Sequence, residues 1–206
     1  MPDFQIEDGL VQPVAGVDEV GRGPWAGPVV AGAVILERSN VPPGIADSKQ
    51  LSRAAREALD AEIRATSHVG IGIASVAEID ELNILAAALL AMSRAVTALS
   101  IKPAHVLVDG RHAPTLSLPC TAIVAGDRRS MAIAAGSIVA KVYRDRLMCD
   151  LSAAHPGFGW ERNAGYGTRE HRDALARIGV TPHHRRSFKP VAARIDAGPS
   201  YDGTPN

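Results

Sequence analysis

The chain has 206 residues, 46% of them hydrophobic, 21% charged and 4% aromatic. This suits one domain with a sizeable core built on Val, Ile, Leu and Ala. Lys+Arg and Asp+Glu number 22 each, so no net charge marks the chain as a nucleic-acid binder.

The charge is unevenly spread, however. Between Glu161 and Arg194, eight basic residues stand against three acids, 8 − 3 = +5, with three histidines besides. A basic C-terminal third can hold a polyanion while acids such as Glu57, Asp60, Glu78 and Glu81 balance it elsewhere. Cys120 and Cys149 lack metal-ligand spacing and read as buried, reduced thiols, which fits a cytoplasmic setting. The acidic N-terminus has no signal-peptide pattern, and no apolar run is long enough to span a bilayer. No membrane partner is expected, and nothing calls for more than a monomer.

In chain order, residues 14–18 predict a buried strand that ends on a carboxylate, Asp18, with Glu19 beside it. The segment from Gly21 to Pro28 is a turn, and 29–36 is an antiparallel partner strand. A loop over 40–51 contains Asp47-Ser48-Lys49. Ser52 is the expected N-cap of a helix to Thr66. A third strand covers 69–76, and one long helix is expected over 77–99. The fourth strand, 106–108, again stops on an acid, Asp109. The fifth covers 120–124. Asp127 precedes a helix over 128–151 and is its expected N-cap. A helix over 168–178 follows, and 191–206 reads as a flexible tail behind a single domain over 1–190. Three antiparallel strands followed by crossovers give an α/β fold with a mixed sheet.

In such sheets ligands gather beyond the carboxyl ends of parallel strands, where Asp18 and Asp109 are expected. Magnesium and manganese prefer hard oxygen ligands such as carboxylates. A solvated strand-end acid explains any one of these residues, but two neighbouring strands that both stop on acid favour a metal site. Asp127 is the natural fourth carboxylate, a role compatible with capping. Gly21-Arg22-Gly23 brings backbone amides close to a ligand, although an ordinary hairpin turn explains it as well. The stretch from Gly16 to Gly23 fails as a nucleotide-binding phosphate loop, because Arg22-Gly23 replaces Lys-Ser/Thr and two carboxylates lie inside it. Tyr166, presented by a turn, can stack on a sugar or base or cover a core edge. The turn from His183 to Phe188 offers Arg185 and Arg186 to phosphate or simply to solvent. Its adjacent histidines are a weak metal signal.

Together these segments resemble the ribonuclease HII family. Val17-Asp18-Glu19-Val20-Gly21-Arg22-Gly23-Pro24 with Ala26-Gly27-Pro28-Val29-Val30 looks like its opening motif. Asp47-Ser48-Lys49-Gln50-Leu51, Val108-Asp109-Gly110 and Gly126-Asp127 match further blocks, as does the helix from Ala134 through Ala140-Lys141-Val142-Tyr143-Arg144-Asp145. So do Gly165-Tyr166-Gly167-Thr168 and the turn from His184 to Phe188. The resemblance implies a ribonuclease H-like fold: a mixed five-stranded central sheet flanked by helices, with a C-terminal helical extension. It implies an endonuclease that cuts the RNA strand of RNA–DNA hybrids and the 5′ side of ribonucleotides embedded in duplex DNA, as ribonucleotide excision repair requires. The ends left would be 3′-hydroxyl and 5′-phosphate. By the same resemblance, Asp18, Glu19, Asp109 and Asp127 hold two Mg2+ or Mn2+ ions. Gly21, Arg22 and Gly23 read the 2′-hydroxyl, Tyr166 stacks on a sugar, and Lys49, Arg185 and Arg186 hold phosphates. The chain departs from the family's pattern at Ala164, where lysine is common, at Trp25 and at Gly136. The rival readings are a non-catalytic hybrid binder, which would not need four acids, and a DNA nuclease of the same fold, which would not need Gly21-Arg22-Gly23.

Overall fold

A computed structural model describes residues 1–197. Its central strand, β1 (Val14–Val20), pairs antiparallel with β2 (Val29–Ile35), which pairs antiparallel with β3 (His68–Ala74). On its other side β1 runs parallel to β4 (His105–Asp109), and β4 runs parallel to β5 (Cys120–Ile123). The expected mixed sheet is therefore present, in the order β3-β2-β1-β4-β5. Strand β2 is buried along its whole length, which explains its unbroken apolar sequence.

Helices cover both faces. On one side lie α3 (Val76–Leu82) and α4 (Ile84–Thr97), and Ala87, Ala91 and Ala95 of α4 join Val17, Ala31 and Val108 in the larger core cluster. On the other lie α2 (Arg53–Thr66) and α5 (Met131–Ala154), where Ile63, Ala135, Ile138 and Val139 pack with Val34. Ser52 caps α2, as expected, by accepting the Ala55 amide at 3.2 Å.

The single helix expected over 77–99 is two helices. Asn83 sits between them at φ 73° and ψ 163°, a backbone conformation that cannot continue a helix, and its Oδ1 accepts the amides of Leu85 and Ala86. The helix expected from 128 starts at Met131, capped by Ser130, whose hydroxyl accepts the Ile133 amide. Asp127 instead lies in a 3-10 turn, Gly126–Arg128, so it does not cap this helix. A short helix, α1 (Gln5–Asp8), places buried Glu7 against the start of α5, where one carboxylate oxygen accepts both the Ser130 hydroxyl at 2.7 Å and the Ala132 amide at 3.0 Å. Three helices follow α5: α6 (Trp160–Asn163), α7 (Arg169–Ile178) and α8 (Lys189–Asp196). The tail expected from 191 is thus helical to Asp196, with Val191 fully buried. The remainder of that expectation falls outside the described residues. The two cysteines are half-buried free thiols rather than buried ones. Among the described residues, no helix is long and apolar enough to cross a membrane.

The approach of α5 to the sheet fixes the frame for the site. A Cβ on Gly16 would lie 2.1 Å from the backbone of Ala132 and Ile133, and one on Gly32 would lie 2.5 Å from the Gly136 carbonyl. Helix and strands therefore meet backbone to backbone. Gly16→Ala must push α5 off the sheet and should destabilise the fold by about 2 kcal/mol. Urea denaturation checks this, and an unchanged midpoint would contradict the contact.

Candidate active site

Strand periodicity gathers the first acids. On β1, Ala15 and Val17 face α4, so Gly16 and Asp18 face α5. On β4, Val106 and Val108 face α4, whereas Leu107 packs on Ile133 of α5. Val17 pairs with Val108 in the parallel register, so the next residues, Asp18 and Asp109, are neighbours where that pairing stops, although β1 does not end on Asp18 as expected but stays paired with β2 to Val20. The turn at Gly126 closes over them, because its amide donates to Asp109 Oδ1 at 2.6 Å. That contact brings in Asp127, and all four acids act on one another electrostatically through Asp109.

Their charges are poorly compensated. Burial, reinforced by the charges of Glu19 and Asp109, holds the Asp18 carboxyl well above the usual carboxylate range. Burial also raises Glu19, though its ion pair with Arg22 at 3.1 Å pulls it back. Asp127 is raised by burial, with Asp109 and Asp47 adding repulsion and Lys49 opposing it. Among the described residues, no three His, Cys, Asp or Glu side chains close on a common point as a finished metal cage would. Asp18 Oδ1 takes the Glu19 amide, and Glu19 reaches for Arg22. Hard oxygen donors whose mutual repulsion only a cation would relieve suit a divalent metal by their chemistry.

The loop at 47–51 docks beside the acids through contacts that spacing alone does not reveal. Ser48 Oγ lies 2.8 Å from Ser137 Oγ, and the Ser137 hydroxyl is close enough to Asp18 to favour its charged form. Asp47 accepts Arg128 Nε at 3.2 Å, which ties this loop to the Asp127 turn and leaves the Lys49 side chain exposed nearby.

The glycine loop is held from below by two buried arginines. Arg185 was expected at a phosphate, but it is fully buried and its donors are spent on the carbonyls of Gly21, Arg22 and Gly27. Arg144, to which the sequence reading assigns no role, donates to Pro28, Ala26 and Ala164. Gly21 has φ 95°, and a Cβ there would strike Arg144 Nε at 2.1 Å. Among the described residues neither arginine has a carboxylate within ion-pair distance, and burial pushes Arg144 down to about 10 and Arg185 down to about 9. Apart from lying in the motif block that ends at Asp145, nothing in the sequence sets Arg144 apart from Lys141, Asp145 and Arg146 beside it, and only the fold buries it.

Tyr166 is brought to the same loop. Ala164 and Gly165 adopt left-handed conformations, the Gly165 carbonyl takes the Trp25 amide at 2.8 Å, and a Cβ on Gly23 would lie 3.3 Å from the half-exposed tyrosine ring. Trp25 packs under Gly167 and 5.6 Å from the His171 ring. Arg186 is exposed on a turn pinned by Asp80, and its side chain joins none of these contacts. Part of the basic excess after Glu161 already has partners within the chain: Arg162 pairs on the surface with Glu161 and Glu170, and Arg194 bonds the Leu175 and Ala176 carbonyls.

The histidines are not a metal pair but a directed chain of hydrogen bonds. The Thr181 amide donates to His184 Nδ1 at 3.0 Å, so the proton of neutral His184 sits on Nε2 and points at His171 Nε2, 3.0 Å away. His171 Nε2 also accepts from Trp160 Nε1, which leaves its Nδ1–H to donate to the Tyr166 carbonyl at 2.9 Å. Each ring has one tautomer and no room for a second proton. Burial, with the other histidines adding to it, lowers His184 to about 3, and burial lowers His171 as well.

Two predictions follow from this arrangement. Arg185→Met strands three buried carbonyls and should cost about 3 kcal/mol or more, whereas Arg186→Met should stay within about 0.5 kcal/mol. Equal losses in chemical denaturation would rule out the clamp. For His184, whose folded pKa lies below the unfolded value of about 6.5, the unfolded chain takes up the proton first. Stability is therefore intact above about pH 6.5 and is lost progressively as pH falls toward 3. A His184→Gln variant should show a shallower acid decline in melting temperature, relative to its own value at pH 7.5, than the wild type. Parallel profiles would contradict the assignment.

Comparison with known proteins agrees with this geometry. The family profile described as Ribonuclease HII matches residues 15–191. The chain is 58% identical to a ribonuclease HII of Rhizorhabdus wittichii over 191 residues, covering 93% of this chain and 95% of that one. It is likewise 58% identical to that of Ruegeria pomeroyi, covering 92% and 83%. Among solved structures, ribonuclease H2 from Pyrococcus horikoshii superposes with a TM-score of 0.74 at 27% identity, over 89% of this chain and 97% of that one. Ribonuclease HII from Archaeoglobus fulgidus, solved as a complex with PCNA, gives 0.74 at 26% identity, over 88% and 96%. The chain belongs to the ribonuclease HII family and is a ribonuclease H, a hydrolase acting on RNA.

Proposed function

We propose that the chain is an endonuclease that cuts the RNA strand of RNA–DNA hybrids and the 5′ side of ribonucleotides embedded in duplex DNA, leaving 3′-hydroxyl and 5′-phosphate ends. The observation that carries this reading is the mutually repelling acid set beside the glycine loop, with Asp18 and Asp127 buried and Glu19 and Asp109 half-buried. These four carboxylates would hold two Mg2+ or Mn2+ ions, which supply charge neutralisation and an activated water for in-line displacement at phosphorus.

The chain's own residues do the rest. Gly21, Arg22 and Gly23 carry amides that can meet a 2′-hydroxyl, the group that separates RNA from DNA. The inward-facing carbonyls of Gly21 and Arg22 are taken by Arg185, which fixes the loop's orientation. Tyr166 presents its ring against Gly23, where a sugar at the RNA-to-DNA junction can rest on it. Lys49 stands near Asp127 with its ammonium exposed, in reach of a phosphate. Arg186 is the outermost of the proposed phosphate contacts.

A labelled duplex carrying one ribonucleotide should be cut with Mg2+ or Mn2+, not with chelator, while an all-DNA duplex survives. Asp109→Asn keeps the acceptor for the Gly126 amide but removes a charge. Its turnover should fall by more than the about 100-fold typical of outer-shell partners. The thermal stabilisation that Mn2+ gives the wild type should shrink in that variant. Cleavage of the all-DNA control at an equal rate, or near-normal turnover of Asp109→Asn, would overturn the reading.

A further inference from the structure

A polar cavity of about 200 Å³ opens between α2, α5 and α6, and none of the four carboxylates lines it. Arg53 and Arg56 enter it from α2, Lys141 from α5 and Arg162 from α6, facing the acids Asp145 and Glu161. Cations exceed anions by 4 − 2 = 2 on its walls. In a chain with no net charge, such a local excess asks for an anionic occupant.

The cations are available in different degrees. Arg53 pairs with Glu57 at 2.9 Å and Arg162 with Glu161 and Glu170, but the two arginine side chains are 60% and 66% exposed. Lys141 pairs with Asp145 at 2.7 Å. Ion pairs as exposed as those of Arg53 and Arg162 are weak and screened by salt, so a phosphate can draw the guanidinium groups away. Arg56 differs from the others. Its Nη1 is fixed by the carbonyls of Ser48, at 2.8 Å, and Leu51, at 2.6 Å, and among the described residues no carboxylate lies within ion-pair distance of it. Its charge is held in place by main-chain carbonyls, with Glu57 acting on it only from beyond ion-pair distance.

The cavity also lies on a path between two parts of the proposed substrate surface. Through Arg56 it touches the loop whose Ser48 bonds Ser137 beside Asp18. Its far wall includes Ala164, two residues before Tyr166. A strand whose sugar rests on Tyr166 would carry its backbone past this opening. Resting on the ribonuclease reading above, we propose that the cavity binds a phosphodiester of the substrate backbone away from the bond that is cut, with Arg53, Arg56, Lys141 and Arg162 as its donors.

The test uses the full chain and an Arg53→Gln/Arg162→Gln variant, two exposed positions whose loss should leave the denaturation midpoint close to that of the wild type. Binding is measured in chelator on a hybrid duplex across a salt series. The variant should bind about tenfold more weakly. Its log affinity should fall less steeply with log salt, by about one unit per lost phosphate contact. A scan of duplexes carrying one neutral methylphosphonate should then find a position that weakens the wild type and leaves the variant unaffected. Unchanged affinity and salt slope, or equal sensitivity of both proteins at every position, would overturn the cavity's role. Cleavage of the single-ribonucleotide duplex by the wild type is read in parallel. If the wild type binds but does not cut, the ribonuclease reading fails while the binding scan still decides the cavity. If it cuts and the variant binds as well as it does, only the cavity fails.

Discussion

Everything at the carboxyl end of the sheet depends on how closely α5 lies on it. Gly16 and Gly32 on the strands and Gly136 on the helix remove the side chains that would hold the layers apart. Backbone contact then lets Ser137 reach both Asp18 and Ser48. A helix standing off by one methyl group would leave Asp18 facing a gap and the loop at 47–51 without its anchor. Acid placement is thus set by layer spacing as much as by strand ends.

A second constraint runs from the C-terminal segment to the glycine loop. Arg144 and Arg185 each donate three hydrogen bonds to main-chain carbonyls. A buried charge is costly, and many carbonyl dipoles around one guanidinium spread that cost. The loop is therefore held through its carbonyls rather than its amides. The chain from Thr181 through His184 and His171 to the Tyr166 carbonyl fastens the opposite side of the same surface.

Much of this was legible in the sequence. Strand alternation and two acidic strand ends located Asp18 and Asp109, and the turn residues located the glycine loop and the Tyr166 turn. What escaped detection depends on contacts distant in sequence. Arg185 reads as a surface cation beside Arg186 until the fold buries one and exposes the other. Asp127 reads as a helix cap because Ser130, three residues on, competes for that role and only the tertiary turn decides between them. Asn83 breaks a helix that apolar periodicity carries straight through, since periodicity says nothing of φ. The double-histidine pattern gave no hint that His184 turns inward to His171, thirteen positions earlier.

The Glu7 contact has a consequence in time. Glu7 closes the first turn of α5 across 123 positions of sequence, and the main chain of Asp3 pairs with Met131 beside it. During synthesis the N-terminal segment emerges first, yet its partner is still unmade until well over half of the chain has been translated. Until then Glu7 has only water to face. The turn that carries Asp127 lies just before Ser130, so the N-terminal segment docks directly beside it.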